Sequence, residues 1–467
     1  RECLAISETW LATPSGPRPA VSAPSCVVSL GADGRMAAMD STHIDKLSAN
    51  VLRLTLSSGR QLVATPNHFV LSDIGWLPVG ELTSDRAVAM ARNIPAPPAA
   101  SSRPEAHWLG LMLGNGSMSG PGSPTFTTGD ERIGNVFCEE TRALFDLDPR
   151  PHPHRSHRVW QYDITWRRRT PKRNACKRWL IEQSVWGYRA QDKHVPDGFM
   201  SGMDTPSVAR LVAGLVESDG SVVLGAHGRM MVKFASTSRV LIEQYLWMLG
   251  RLGVVGRVSV NAGCNFPVLV VAIDHADEIA RFRSIVTLAG RRGDKLSGRL
   301  CSPQQSSSRL PPWVSAKLLA HARANGWTQE RLGYRDQQKW IGQDRLGVVL
   351  AKLPSRSGLA HLLSPDIFWS RVKSVAPAGI SGLFDRCVPG AGNFVANGIV
   401  VHNSGAIEQD TDLALLLFRE EVYSPKEENE GIAEVIIAKH RNGPTGIVRL
   451  AFLKEFAKFE DLAYGHT

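Results

Sequence analysis

Short runs rich in β-branched and alternating apolar residues, separated by turn residues, fill the first ninety or so positions of the chain. Cys26-Val27-Val28-Ser29-Leu30, Val51-Leu52-Arg53-Leu54-Thr55-Leu56 and Gln61-Leu62-Val63-Ala64-Thr65 read as strands, the last two joined by the turn Ser57-Ser58-Gly59. The same patterning returns at Asp366-Ile367-Phe368-Trp369 and runs through Phe394 to Val401. An all-β element is therefore split by an insertion, and its two halves must meet in space.

Between the halves the period changes. Ile94 to Pro104 and Ser302 to Ser308 are Pro/Ala/Ser- and Ser/Gln-rich, and they bracket a separate domain. Inside the bracket, Trp108-Leu109-Gly110-Leu111-Met112-Leu113-Gly114-Asn115-Gly116-Ser117 recurs about a hundred residues later as Val212-Ala213-Gly214-Leu215-Val216-Glu217-Ser218-Asp219-Gly220-Ser221. Each copy is an apolar, small-residue-rich run ending in a polar residue and Gly, so two closely packed helices are predicted, each presenting Asn115 or Asp219 at its base. Beyond the second linker, Ser315 to Leu353 reads helical with Thr328 as an N-cap, which fits either a helix-turn-helix-like unit or a plain helical spacer.

An apolar content of 43% can bury several cores, no stretch approaches the ~20 apolar residues of a membrane span, and the first eight residues lack the features of a signal peptide, so a cytoplasmic protein with no membrane partner is expected. Seven cysteines without a C-x-x-C spacing signal neither a disulfide framework nor structural zinc. Charge is uneven: residues 404–467 hold seven Lys/Arg against twelve Asp/Glu, net −5, which leaves +15 of the overall +10 on residues 1–403. The first 403 residues are the part that would seek nucleic acid.

Four separated signals carry chemistry: Cys3 near the start, Thr65-Pro66-Asn67-His68 after a strand, Asn393 to Val401 leading into His402-Asn403, and Ser404 next. Taken in order, this set resembles the splicing motifs of inteins. The resemblance implies that Cys3 attacks the Glu2 carbonyl to form a thioester, a task suited to thiolate as nucleophile and leaving group. His68, with Thr65 beside it, is expected to protonate the scissile nitrogen, imidazole being poised near neutrality. Ser404 then takes the acyl group, and Asn403 cyclises on its own carbonyl with help from His402, with no cofactor. Asp385 matches the acidic position that steers the thiol, whereas Gly392 stands where many inteins have a His.

The bracketed domain, including Lys193-His194-Val195-Pro196 before the second copy and Ser236 to Val254 after it, resembles LAGLIDADG homing endonucleases. The resemblance implies two αββαββα repeats acting on a DNA homing site, with Mg²⁺ at the twofold axis bound by the last residue of each motif helix. Asp219 fits that catalytic and metal-binding role. Asn115 offers an amide oxygen in place of the second charge, so weakened metal binding and impaired cleavage are expected. Glu217 is at a non-ligand position, Lys193 and Lys295 flank the site, and the basic run Trp166 to Arg173 with Lys177-Arg178 is expected to contact phosphates.

Residues 404–467 resemble the end of DnaB-type replicative helicases, on Ser404 to Asp412, Leu413 to Phe418 and Ile436 to Gly446. The family implies a homohexameric, RecA-like ATPase at the replication fork, using ATP and Mg²⁺, with Gln409 sensing the γ-phosphate and Lys439 and Arg441 reaching a neighbour's nucleotide. No G-x-x-x-x-G-K-[ST] occurs in the chain, so that phosphate loop is expected upstream of Arg1. The fold expected is multidomain: residues 1–2 from the host, an all-β, horseshoe-like Hint splicing domain of 3–98 and 364–403, an α+β endonuclease-like domain at 104–300, a small, DNA-binding or structural, helical segment at 309–362, and an α/β helicase fragment at 404–467. Two other readings compete. A hedgehog-like signalling protein shares the β-fold and the Cys/Thr-His chemistry but not His402-Asn403-Ser404, and a splicing-dead, DNA-binding precursor of the helicase would give only full-length chain on a gel.

Overall fold

The computed structural model describes residues 3–461 except 121, 155–158, 166–173, 226–229, 262–266, 299–306, 325–326, 329–339, 353–358, 404–412, 420–430, 441–442, 444–445 and 455–457. It divides into two units, 1–403 and 404–467.

The first unit opens with ten strands: β1 (Leu4–Ala5), β2 (Trp10–Thr13), β3 (Gly16–Pro19), β4 (Cys26–Leu30), β5 (Met36–Asp40), β6 (Thr42–Leu56), β7 (Gln61–Ala64), β8 (Phe69–Ser72), β9 (Gly75–Pro78) and β10 (Ala87–Ala91). After the insertion come β21 (Ile367–Cys387), β22 (Asn393–Ala396) and β23 (Ile399–His402). Eleven of these strands form one sheet in the order β1-β7-β6-β21-β10-β8-β23-β22-β2-β3, with β9 on β8, while β4 and β5 form a separate ribbon. The long antiparallel pair β6 and β21 closes the split, running from Leu56↔Val372 to Thr42↔Cys387 with three irregularities, one of them at Pro377, where a residue without an N–H fits only at a break in the ladder. Ala91, last in β10, pairs with Ile367, first in β21, so the insertion enters and leaves through adjacent points and the sheet is undisturbed. Leu54, Leu56, Val70, Phe384 and Phe394 are fully buried beneath it.

The inserted elements are α1 (Ala106–Asn115), β11 (Gly116–Ser117), β12 (Thr125–Thr128), α2 (Glu131–Phe145), β13 (Arg150–Pro153), β14 (Trp160–Asp163) and α3 (Ala175–Glu182), then a short linking helix α4 (Asp197–Met200). The pattern repeats in α5 (Thr205–Asp219), β15 (Gly220–Leu224), β16 (Met230–Ser236), α6 (Arg239–Arg251), β17 (Arg257–Asn261), β18 (Val268–Ile273) and α7 (Ala276–Ile285), followed by α8 (Gly290–Leu296). Both halves thus run α-β-β-α-β-β-α, and their sheets share one permutation, β11-β12-β14-β13 and β15-β16-β18-β17. The central helices α1 and α5 pack backbone to backbone: a Cβ at Gly110 would meet the Leu211 carbonyl, and one at Gly214 the His107 carbonyl. That approach is why small residues punctuate both runs.

In the following segment β19 (Arg309–Leu310) pairs with β20 (Ile341–Gly342) beside α9 (Pro312–Ala324) and α10 (Gln343–Leu350). Thr328 precedes residues outside the described set, so the N-cap expected there is not described.

In the second unit β24 (Leu413–Phe418), β25 (Ile432–His440), β26 (Gly446–Leu453) and β27 (Lys458–Asp461) form an antiparallel meander. The unit's described elements are all strands, the β-branched runs Val435-Ile436-Ile437 and Ile447-Val448 taking extended partners. No described helix is long and apolar enough to cross a membrane.

Candidate functional site

Cys3 is fixed by two registers at once. β1 pairs Leu4 with Phe384 of β21 and Leu4 with Ala64 of β7, both antiparallel, so one residue further the ladders set Cys3 opposite Asp385 on one side and Thr65 on the other. The Thr65 N–H donates to the Cys3 carbonyl at 2.9 Å, and the Cys3 N–H donates to Thr65 Oγ1 at 3.0 Å. That N–H belongs to the Glu2–Cys3 peptide bond, so Thr65 holds the nitrogen of that bond. Thr65-Pro66-Asn67-His68 is a tight turn closed by the His68 N–H on the Thr65 carbonyl at 3.0 Å, with Pro at the position that favours its fixed φ. The Val79 N–H on the His68 carbonyl, 2.8 Å, pins the turn from the other side. Cys3, Thr65, His68 and Asp385 are each 3% exposed or less, water-poor surroundings in which charge and hydrogen bonds act strongly. Asp385 also accepts the Arg386 N–H at 2.7 Å, while burial lowers the pKa of the Arg386 guanidinium, which is tied to Pro24 and Ser41.

After β21, β22 and β23 form a two-residue hairpin through Asn397 (φ 50°) and Gly398 (φ 78°), the left-handed pair that a right-twisted hairpin requires. Asn397 sews it to the first strands, accepting the Trp10 N–H at 2.7 Å. The hairpin delivers His402 and Asn403. His402 Nδ1 lies 2.5 Å from the Asn403 carbonyl oxygen, the oxygen of the bond that asparagine cyclisation breaks. The Asn403 main-chain N–H donates to the Gly392 carbonyl at 3.0 Å. In the orientation that satisfies both ends of its carboxamide, Asn403 Nδ2 donates to the same carbonyl at 2.8 Å and Oδ1 accepts from the Val388 N–H at 3.0 Å. Gly392, read in the sequence as a missing side chain, adopts φ 66° and contributes its backbone carbonyl instead. No side chain at position 392 signals that role.

The helix ends of the insert differ from a bare carboxylate pair. Asn115 Nδ2 donates to the Ser218 carbonyl at 2.9 Å, bridging the two helices. Lys193 Nζ donates to the Gly114 and Gly116 carbonyls at 2.7 and 3.0 Å, and Arg292 reaches the carbonyls of Glu217, Ser218 (3.1 Å) and Gly220 (2.8 Å). A cation therefore caps the C-terminus of each central helix, where the peptide dipoles favour it. Burial raises the Asp219 carboxyl above the usual range against the pull of Lys193 and Arg292, and burial lowers Lys193 to about 8. One partly desolvated carboxylate flanked by two cations is a poor divalent-metal site, and no group of three or more His, Cys, Asp or Glu is gathered as one among the described residues. Glu217, placed off the ligand position by the sequence, is buried against His107 (2.8 Å), whose other ring nitrogen meets Glu140 at 2.9 Å. Burial opposes the charge on His107, but the two carboxylates raise its pKa to about 9. Neither Arg292 nor this triad was signalled by any sequence motif. Lys295 lies in the last turn of α8.

Ser404, Gln409, Arg441 and the basic run 166–173 lie outside the described residues, and Lys439 is described only as backbone of β25.

A thiol at the first residue of a β-domain and a cyclisable asparagine at its last, one beside Thr65 and the other falling opposite His68 of the same turn, define an acyl-transfer element that acts on its own chain. Residues 33–403 match the family described as the intein splicing domain, and residues 400–461 match the DnaB-like helicase C-terminal domain. The chain belongs to the intein splicing family. It is 30% identical over 447 residues to the replicative DNA helicase DnaB of Rhodothermus marinus, covering 88% of this chain and 46% of that one, and 30% identical over 441 residues to the DnaB of Nostoc sp. strain PCC 7120, covering 88% and 49%. The chain thus spans about half the length of the curated relatives it matches. Among solved structures, the Ssp DnaB mini-intein variant M86 aligns over 88% of this chain and 98% of its own at 10% identity and a TM-score of 0.28.

Proposed function

We propose that the chain excises residues 3–403 from its host by acyl transfers among its own groups. Cys3 Sγ attacks the Glu2 carbonyl carbon, and the Cys3 nitrogen leaves as an amine to give a thioester. Thr65 orients that nitrogen, His68 supplies its proton, and Asp385 steers the thiol. The Ser404 hydroxyl attacks the thioester and releases the thiol. Asn403 Nδ2 then attacks its own carbonyl carbon, forming a succinimide and breaking the bond to Ser404, while His402 Nδ1–H stabilises the carbonyl oxygen and the Gly392 carbonyl polarises the attacking amide. The freed Ser404 amine takes the acyl group from its own oxygen, joining Glu2 to Ser404. The observation that carries this reading is the double register that seats Cys3 between Thr65 and Asp385. Intact mass of the helicase expressed with this insert tests it: an excised 3–403 species is expected, absent from Cys3→Ala and Asn403→Ala; full-length chain alone would overturn it.

For residues 104–300 the reading is a LAGLIDADG-type DNA-binding domain of two repeats. Mg²⁺ would rest on Asp219 and the Asn115 amide oxygen; the cation-flanked donor set fits it poorly, so impaired endonuclease activity is expected. Residues 309–362 would serve as a brace for the splicing sheet. The flanking 404–467 would complete, after splicing, a cytoplasmic hexameric replicative helicase that uses ATP and Mg²⁺ on DNA, with Gln409, Lys439 and Arg441 at the nucleotide.

A further inference from the structure

β8 and β9 form a hairpin in the register Phe69↔Pro78, Leu71↔Trp76, which puts Phe69, Leu71, Trp76 and Pro78 on one face. β23 pairs Val401 with Val70 of the same hairpin. Val70 and Val401 point to the opposite face, so His402, one residue on, faces Phe69 and Trp76. The ring contacts agree: Trp76 stands perpendicular to the His402 imidazole, 80° between planes and 4.8 Å between centroids, and Phe69 meets it at 63° and 6.3 Å. The hairpin is anchored at its turn, where Asp73 accepts the Ala87 N–H at 2.6 Å and the Trp313 indole N–H of α9 at 2.5 Å, with Arg86 at 3.5 Å.

We propose that Trp76 is the positioning residue for His402: its indole fixes the plane of the imidazole so that Nδ1, rather than Nε2, is presented to the Asn403 carbonyl oxygen. An imidazole at the end of a strand can turn about two side-chain bonds, and only one ring plane keeps Nδ1 at 2.5 Å from that oxygen. Perpendicular aromatic packing supplies the restraint without using either ring nitrogen. Through Asp73 and Trp313 the segment after the insertion braces the hairpin that carries this restraint. Trp76 touches neither Cys3 nor Thr65 in any contact described, so it acts on the second cleavage and not on the first.

This inference rests on the splicing reading above, and the two fail differently. In the full chain within its host, thioester formation is read as dithiothreitol-induced cleavage after Glu2, and cyclisation as succinimide at Asn403. Trp76→Leu, which keeps bulk but no ring, is expected to slow cyclisation by about tenfold, to leave thioester cleavage unchanged and to alter the pH profile of cyclisation. Trp76→Phe is expected to recover most of the rate. An equal fall in both steps, no change in cyclisation, or no recovery with Phe would overturn the assignment. Absence of both steps from the native chain would overturn the splicing reading itself.

Discussion

The splicing sheet and the helix pair of the insert solve the same problem, convergence of distant residues, by opposite means. In the sheet, Cys3, Thr65 and Asp385 come from three segments as far apart as 62 and 382 positions, and ladder register alone aligns them. In the insert, two copies of one motif meet through glycines and present their last residues side by side. The sheet gathers a thiol, a hydroxyl and a carboxylate, with an imidazole in the adjoining turn, the groups that the proposed splicing uses. In the helix pair the position that answers Asp219 holds Asn115, whose amide ties the helices together. Packing and chemistry are thus separable: Gly110 and Gly214 are required by backbone approach whether or not a metal binds.

The largest effect expected from a way of breaking this contrast is on His68. His68→Ala should slow dithiothreitol-induced cleavage after Glu2 by about 10²- to 10⁴-fold, while circular dichroism shows the insert intact. Next is Gly214→Val, whose added atoms meet the His107 carbonyl. It should destabilise the insert by about 1–3 kcal/mol or more in urea unfolding, with thioester formation changing far less.

The buried His107 sharpens the contrast through pH. Its folded pKa, raised to about 9, exceeds the ordinary 6.5, so the stabilisation it contributes is complete below pH 6.5 and is lost as pH rises through about 9. The loss should reach up to about 3 kcal/mol. Lys193, lowered to about 8, works in the opposite direction above pH 8, so the measurement is the difference in urea midpoint between the native chain and His107→Gln from pH 6 to 10. A difference independent of pH would contradict the charged triad. The smallest effect expected is from Asn115→Asp, which restores a second carboxylate: Mg²⁺ affinity by calorimetry should rise by about tenfold, and nicking of a plasmid carrying the intein-free host gene should increase.

Much of this was legible along the chain, for identifiable reasons. Cys26 to Leu30 is a strand with the bounds its β-branched run suggests, and the repeated motif ends its helices at Asn115 and Asp219 as the Gly that follows each one signals. Local pattern carries that information. What escaped depends on contacts between remote segments. That Trp76 faces His402 follows only from pairing β8 with β23, more than 300 positions away, and nothing in an isolated Arg292 tells that it caps α5. Gly392 is the instructive case: its side chain is absent, so a residue-type search finds a gap, yet its left-handed φ aims a carbonyl at Asn403.

The central claim is that both ends of the splicing domain are competent in one chain. Mass spectrometry of the C-terminal peptide of the excised 3–403 species tests it most directly. That peptide is expected to end in a succinimide, or its hydrolysed asparagine, at residue 403, with Glu2 joined to Ser404 in the companion product. An unmodified chain running through Asn403 into Ser404, in protein that folds, would contradict it.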